Sequence, residues 1–327
     1  MSLASYLVRR VGFMAVTLLL VTVITFAVTN ILPGDVALLI LGPNASDEKV
    51  AALQQQLGLN KPLYAQYFDW LTGLLTGDLG TSLKFQGESV SALIVEKLPR
   101  SLMLAVAATG VAVVLSIPLG IIAAYRQNDW PDFLASTFGF VGVSIPIFLW
   151  GLVFILVFAI WPAQYFGIDF FPTTGYAAPS EEGWGMTLRH LTLPATSMGF
   201  ALTAYIMRMT RSSMLEVLSE EYVKLARAKG MSEWVVVLRH AFRNAVIPVI
   251  TVVAFQFAYA FGGVVVLEQV FFWPGIGRLT LTAVKARDIP LLQGCIIVIA
   301  LMYMISNLVA DVLYAYFDPR IRYGGES

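Results

Sequence analysis

The chain has 327 residues, of which 58% are hydrophobic and only 13% are charged. Soluble domains carry about 25% charged residues, so this composition excludes an ordinary soluble domain and predicts a membrane protein. The formal net charge is +0 and there is one cysteine. These values give no basis for a nucleic-acid partner, a disulfide framework or a thiolate metal site.

Six long apolar runs contain no Asp, Glu, Lys or Arg: 11–29, 101–125, 133–161, 191–207, 244–267 and 289–310. Each run approaches or exceeds the roughly 20 residues that a helix needs to cross a bilayer. We therefore predict an all-α polytopic membrane protein with six transmembrane helices. Arg9 and Arg10 precede the first run as in a signal peptide, but the run is too long for one.

Lysines and arginines in short loops predict the orientation, because they concentrate on the cytoplasmic side. With the N-terminus inside, the cytoplasmic parts hold Arg9, Arg10, Arg126, Arg208, Arg211, Lys224, Arg227, Lys229, Arg239, Arg243, Arg320 and Arg322. The short outer loops then hold only Arg189, Arg278, Lys285 and Arg287. Both termini are predicted to be cytoplasmic.

The spans divide the chain into an N-terminal segment with the first span (1–32), an extracytoplasmic segment (33–98), a membrane core (99–317) and a tail (318–327). In the extracytoplasmic segment, Asp47 and Glu48 follow an N-cap residue and predict a helix that reaches Leu57, with Gly58 as its left-handed end. Pro62 opens a second helix.

The second extracytoplasmic helix carries apolar and aromatic residues at helical spacing: Leu63, Tyr64, Tyr67, Trp70 and Leu71. An amphipathic helix with such a face suits the outer bilayer interface. Packing of the same face against the other spans is an equally good interpretation.

Prolines lie inside the second and third predicted spans, at Pro118 and Pro146. Proline frees backbone groups in a membrane helix and tends to kink it. Kinks of this kind either line a translocation path or serve packing.

The sixth predicted span carries Asn307 and Asp311 one helical turn apart. A carboxylate in the membrane is costly and indicates a functional site. Because Arg320 and Arg322 follow it, a structural ion pair or cap is the alternative. The candidate pathway residues are Pro146, Gln256, Asn307 and Asp311.

A charged segment at 211–245 separates the fourth and fifth spans. We predict one helix over 214–229 that stops at a left-handed Gly230, and a second that begins at Ser232 and continues towards Pro248. This elbow, with Tyr222 and Trp234 among its charges, predicts a docking surface for a cytoplasmic partner. An ordinary positive-inside loop is the alternative.

Residues 222–230, Tyr-Val-x-x-Ala-Arg-Ala-Lys-Gly, resemble the cytoplasmic loop of ABC-importer permeases of the oligopeptide/dipeptide class, specifically their first (B-type) permease subunit. Further matches occur in order along the chain. They are Leu-Pro-Gly-Asp (32–35), Gln-Leu-Gly-Leu (56–59), Gly-Asp-Leu-Gly-Thr-Ser (77–82), Leu-Pro (98–99), Ser-Ile-Pro (144–146), Arg-His-Ala-Phe-Arg-Asn-Ala (239–245), Trp-Pro-Gly-Ile-Gly (273–277) and Asp-Pro-Arg-Ile-Arg (318–322).

The resemblance implies a type I ABC importer permease fold in a bacterial or archaeal cytoplasmic membrane. It implies four kinds of contact: a homologous second permease subunit in a heterodimer, two ATPase subunits, an extracytoplasmic solute-binding protein and lipid. The residues expected to couple to the ATPases are Glu221, Tyr222, Ala226, Arg227, Ala228, Lys229, Gly230, Ser232, Glu233 and Trp234.

One position departs from the general ABC-importer loop, which begins Glu-Ala-Ala. Lys224 and Leu225 occupy the glutamate and first alanine positions, so the role of that glutamate is not assigned to Lys224. The peptide class carries its own acid before the tyrosine, here Glu221.

No P-loop, zinc-protease motif or cysteine pair is present in the sequence. The chain is therefore predicted not to be an enzyme, and the resemblance implies a transport subunit for peptides or a related small solute. It is expected to bind no cofactor, while the partner subunits bind ATP and Mg. A self-sufficient secondary transporter is the alternative, but it needs intramembrane ion-coupling groups, and these spans are poor in charge.

Overall fold

The structure is a computed structural model that describes residues 3–31, 38, 41, 45–56 and 58–317. Its helices are α1 (Leu3–Ile31), α2 (Asp47–Gln56), α3 (Leu63–Thr76), α4 (Val90–Tyr125), α5 (Trp130–Ser144), α6 (Ile147–Phe166), α7 (Gly183–Leu218), α8 (Glu221–Ala228), α9 (Glu233–Val270), α10 (Ile276–Ala286) and α11 (Ile289–Phe317). Short π-helical segments lie inside α6 (Leu156–Ile160) and α9 (Val236–Phe242).

The all-α prediction is confirmed for the described residues, whose only β-type pairing is an isolated bridge between Thr81 and Ser89. Five helical stretches are long and apolar enough to cross a membrane: Leu7–Ile31, Val90–Tyr125, Ile147–Phe166, Glu233–Val270 and Ile289–Leu313. The fourth predicted span, 191–207, lies within α7, which is not among these five.

The third predicted span, 133–161, is wrong as a single helix. α5 ends at Ser144, Ile145 is extended (ψ 126°), and α6 begins after Pro146. Proline lacks an N–H group and disfavours helical geometry in the residue before it. Pro118, by contrast, lies inside an unbroken α4.

The break at Pro146 is a bend. Along α5 and into α6, contacts move steadily along α7: a Cβ on Gly142 would lie 3.3 Å from the Ala204 Cβ, and the Trp150 ring lies 4.5 Å from the Phe200 ring. The chain therefore keeps one direction along α7 through the break.

The chain forms two compact units, one built around residues 99–278 with parts of both terminal helices, the other made of 11–98 and 279–301. In the first unit, α7 packs against α5, α6 and α9 and buries Leu193, Met198, Leu202 and Ile206. Helices α4 and α7 approach closely at Gly199, where a Cβ would meet the Ala108 carbonyl oxygen at 2.8 Å.

In the second unit, the two helices predicted between the first and second spans are present. α2 is followed by Gly58 with φ +69°, and α3 begins after Pro62; Leu57 lies outside the described residues. The buried Asp288 carboxylate accepts hydrogen bonds from the Ser82 hydroxyl (2.5 Å) and the Lys84 backbone N–H (3.0 Å). These bonds hold the turn-rich segment that follows α3.

Candidate functional site

The segment between α7 and α9 differs from the prediction at its start. The helix predicted over 214–229 is two helices, because α7 ends at Leu218 and α8 begins at Glu221. Ser219 donates its hydroxyl to the Glu216 carbonyl (2.7 Å), and Glu220 has extended backbone (ψ 146°). A serine that bonds to the preceding turn competes with continued helical bonding.

The bend after α8 has the predicted backbone. Gly230 has φ +77°, and a Cβ placed on it would meet no atom within 4 Å. A larger residue at this position would therefore be disfavoured by the left-handed backbone conformation and not by a clash with neighbouring atoms. Ser232 then has N-cap geometry, and its carbonyl accepts the backbone N–H groups of Val235 and Val236.

The second arm of the bend is the beginning of a membrane-length helix. α9 runs from Glu233 through the π-helical segment to Val270 and passes Pro248 without a break. The short helix predicted from Ser232 towards Pro248 is therefore corrected: it is the start of this long helix.

The two arms share a small apolar core. Val223 and Ala226 of α8 pack with Val236 of α9, and all three are buried. Val217 and Leu218, at the end of α7, pack against them. We call residues 221–242 the elbow; its packing makes it one structural element.

Polar contacts also join the arms. Arg227 donates to Glu233 across the bend (Nη2 to Oε1, 2.8 Å), and the Asn244 amide donates to the Tyr222 hydroxyl (2.8 Å). The pair Lys224–Glu221 lies within α8 at 2.7 Å. Exposed pairs of this kind contribute at most about 1 kcal/mol, so the apolar core is the main stabilising contact.

The predicted coupling residues lie together on this elbow, and most of their side chains are exposed. Ala226 is buried and Glu233 half-buried. The exposed large apolar side chains of the elbow are Tyr222, Leu225, Met231, Trp234 and Leu238. Apolar residues framed by charge on a surface mark interaction sites, and this surface is available for a partner.

A buried cluster connects the elbow to the spans. Ile121 of α4, Met214 of α7 and Val237 of α9 are buried together, and Ala241 and Ala245 continue the same cluster along α9. The elbow therefore packs directly against α4 and α7 and is continuous with α9.

An ion pair near this cluster was not predicted. Arg211 of α7 donates to both oxygens of the buried Asp132 of α5 (Nε–Oδ1, 2.6 Å; Nη2–Oδ2, 2.7 Å). The sequence shows only that Asp132 lies at the edge of an apolar run. This position alone does not predict which basic residue pairs with it.

The four predicted pathway residues do not form one cluster of contacts. Pro146 is exposed at the α5–α6 bend, and the exposed Asn307 amide donates to the Tyr303 carbonyl (3.0 Å). Gln256 is half-buried and, in the described structure, its Nε2 atom is buried without a hydrogen-bond partner.

Asp311 is buried and paired. Arg10 of α1 donates to both of its oxygens, with an Nη2–Oδ1 distance of 2.6 Å. The ion-pair interpretation therefore agrees with the structure, but with a partner other than the expected Arg320 and Arg322, which lie outside the described residues.

An apolar cleft of about 310 Å³ lies between α4, α9 and α11. Its walls include Ile117, Val253, Phe257 and Val309. Gln256 and Asn307 are near these residues in sequence but do not line it. Among the described residues, no three His, Cys, Asp or Glu side chains are grouped in a way that could hold a metal ion.

These features are those of a helical membrane component with a docking elbow. Residues 116–323 match the family described as the binding-protein-dependent transport system inner membrane component, and residues 3–105 match its N-terminal family model. The chain belongs to this family. It is a multi-pass permease subunit of an ABC importer and hence a transport component, not an enzyme.

Curated relatives match over almost the full length. The glutathione transport system permease protein GsiC of Salmonella typhimurium (strain LT2) is 40% identical over 319 residues, which is 98% of this chain and 99% of that protein. GsiC of Escherichia coli (strain K12) is 39% identical over the same coverage. A solved amino acid ABC transporter covers 70% of this chain and 94% of its own, at 16% identity and a TM-score of 0.48.

Proposed function

We propose that this permease subunit imports glutathione or another short peptide, and that partner ATPases drive it through the elbow. The substrate class follows from the names of relatives that are 40% identical along the whole chain. The observation that carries the coupling proposal is the continuity of the elbow with α9: its second arm and the Glu233–Val270 span are one helix.

The proposed assembly contains this chain paired with a homologous permease subunit, two ATPase subunits and an extracytoplasmic solute-binding protein. The membrane is the cytoplasmic membrane of a bacterium or archaeon. ATP and Mg bind to the ATPase subunits. The exposed apolar residues of the elbow contact the ATPases, and the apolar cleft between α4, α9 and α11 belongs to the membrane-embedded surface of the subunit.

The proposed topology has six spans: α1, α4, the bent α5–α6 pair, α7, α9 and α11. At about 1.5 Å per residue, the 36 residues of α7 extend about 54 Å, which is longer than the hydrocarbon core. Its lower hydropathy reflects Ser and Thr residues. Ser197, Thr203 and Thr210 donate to carbonyls in the preceding turn of α7 (2.7, 2.7 and 2.8 Å).

These internal bonds support a membrane-spanning role for α7. Polar side chains that bond to their own helix backbone need no water, and α7 packs against α5, α6 and α9. A helix enclosed by protein can cross with fewer apolar residues than one that faces lipid. With six spans and the predicted charge distribution, both termini are cytoplasmic.

The elbow acts as a lever in this proposal. Closure of the ATPases displaces α8, the shared core of Val223, Ala226 and Val236 keeps the two arms together, and α9 moves with them. The result is rigid-body switching between inward-open and outward-open states.

Gly230→Val tests the lever. Valine in the left-handed conformation costs at least about 1–2 kcal/mol, so the bend should change its geometry. We expect the assembled transporter in proteoliposomes to retain ATP hydrolysis but to lose most uptake per ATP hydrolysed.

The matched control is Gly167→Val. Gly167 also has a positive φ (+66°) and no atom within 4 Å of a built Cβ, but it ends α6, away from the elbow. Normal uptake per ATP in the Gly230 variant, or an equal loss in both variants, contradicts the lever.

A further inference from the structure

Helix α3 packs against α1 through one face. The Tyr67 and Trp70 rings lie 5.4 and 5.8 Å from the Phe26 ring of α1, measured between centroids. The hydroxyls of Tyr67 and Thr22 are hydrogen-bonded at 2.9 Å. These contacts fix α3 beside the half of α1 that is remote from Arg9.

A second apolar face of α3 is not covered by the described part of the chain. Tyr64, Phe68 and Leu75 are 70%, 59% and 78% exposed, and Leu71 completes their spacing of i, i+4, i+7 and i+11. Residues at this spacing form one stripe along a helix. The exposed Asp69 side chain lies on the polar face, about 130° around the helix from the centre of this stripe. We call residues 64, 68, 71 and 75 the α3 stripe.

The contacts with α1 set the depth of α3. The charge-free part of α1 from Val11 to Ile31 extends about 30 Å, the thickness of the hydrocarbon core. Phe26 is about 22 Å from Val11 and about 8 Å from Ile31 along this helix. Interfacial amphipathic helices bury their apolar faces about 5–10 Å into the boundary between headgroups and acyl chains.

The surface beside α3 is also apolar. Leu19, Leu20, Val23 and Ile24 of α1 are exposed on a helix that is long and apolar enough to span a membrane. The α3 stripe thus extends the exposed apolar surface of α1, at the membrane depth of the Ile31 end of that helix. Lys61, the nearest cation, is paired with Asp69 at 2.6 Å, so apolar contact and not headgroup charge is available for binding.

We propose that the α3 stripe inserts into the lipid interface and anchors the extracytoplasmic segment to the membrane surface. The partner is the bilayer itself. The depth follows from α1 alone, whereas naming the leaflet as the outer one rests on the orientation given under Proposed function. The helix leads into the turn-rich segment held by Asp288, so the anchor fixes the height of that segment above the membrane.

Nitroxide labels measure this contact directly. Phe68→Cys and Leu75→Cys place labels on the stripe, and Asp69→Cys is the matched control on the polar face of the same helix. The parent chain, whose single Cys295 is buried, gives the background. Each permease is purified with its native partners in phosphatidylcholine–phosphatidylglycerol nanodiscs. Collision with O₂, which partitions into lipid, is compared with collision with a water-soluble Ni(II) chelate by power saturation.

We expect the ratio of O₂ to Ni(II) collisions to be severalfold higher at residues 68 and 75 than at residue 69. Preferential Ni(II) collision at both stripe positions overturns the proposal, because the stripe then faces water. Protection from both reagents, with or without added solute-binding protein, also overturns it, because a protein then covers the stripe. Absence of co-purifying ATPase subunits contradicts the proposed function but leaves this comparison valid.

Discussion

At the scale of single residues, the most informative group is the buried carboxylate of Asp132. It holds α5 against α7 through two hydrogen bonds from Arg211, close to the base of the elbow. Removing one member of such a pair leaves the other without its counter-charge, which is more damaging than loss of an exposed pair.

Asp132→Asn is therefore expected to destabilise the subunit by about 2 kcal/mol, or roughly 4–8 °C in melting temperature. Asp129→Asn is the matched control, because Asp129 and Arg126 form an exposed pair at 4.0 Å and contribute little. Thermal unfolding in detergent measures both. Equal melting temperatures for the Asp132 variant and the parent contradict this assignment.

The local conformation of a residue could be predicted from the sequence better than the residues that it contacts. The left-handed Gly230 followed from its place after a charged helix, but the pairing of Asp311 with Arg10 joins residues 301 positions apart. Likewise, the Glu268 carboxylate accepts the Ser101 hydroxyl (2.5 Å), and no room remains there for a side chain on Gly275. Such contacts depend on packing that periodicity does not encode.

At the scale of helices, glycine sets how closely α4 and α7 approach. A Cβ on Gly199 would lie 2.7 Å from the Val111 Cγ1 and 2.8 Å from the Ala108 carbonyl oxygen. Small residues at such crossings allow backbones to pack closely in membrane helices.

Gly199→Ala should separate these helices and cost about 1–3 kcal/mol, as overpacking does. Gly110→Ala, within α4, is the matched control, since its Cβ would meet no atom within 4 Å and alanine favours helix. The melting temperature should fall for the first variant and stay level or rise for the second. A reversed order contradicts close packing of α4 on α7.

Helix existence was predictable, but helix ends were less so. The apolar runs predicted α1, α4, α9 and α11 because long charge-free stretches permit little else. The bend at Pro146 and the separation of α7 from α8 depend on local competition for hydrogen bonds. Hydropathy alone also undervalues α7, whose polar side chains bond to its own backbone.

At the scale of the whole molecule, the number of spans decides the topology. Six spans place both termini on the same side of the membrane, which the charge distribution predicts to be the cytoplasm, whereas five place them on opposite sides. Green fluorescent protein fused to either terminus should therefore fluoresce, and alkaline phosphatase fused to either terminus should be inactive in cells. Phosphatase activity at one terminus contradicts the inclusion of α7 among the spans.

The charge distribution of the whole subunit also favours an ATP-driven importer over a self-sufficient secondary transporter. Asp311 is neutralised by Arg10 in the structure, so it is not a free carboxylate ready to couple an ion. In our proposal energy enters from a partner ATPase, and the elbow is the exposed, internally packed element that receives it.

Photocrosslinking from the elbow tests this central claim most directly. A photoreactive amino acid at Leu225, an exposed position of α8, is activated in the intact transporter, and the same group at Leu75 of α3 is the control. We predict an adduct between residue 225 and an ATPase subunit, and none from residue 75. Failure of residue 225 to crosslink to ATPase subunits that co-purify with the permease would contradict the account.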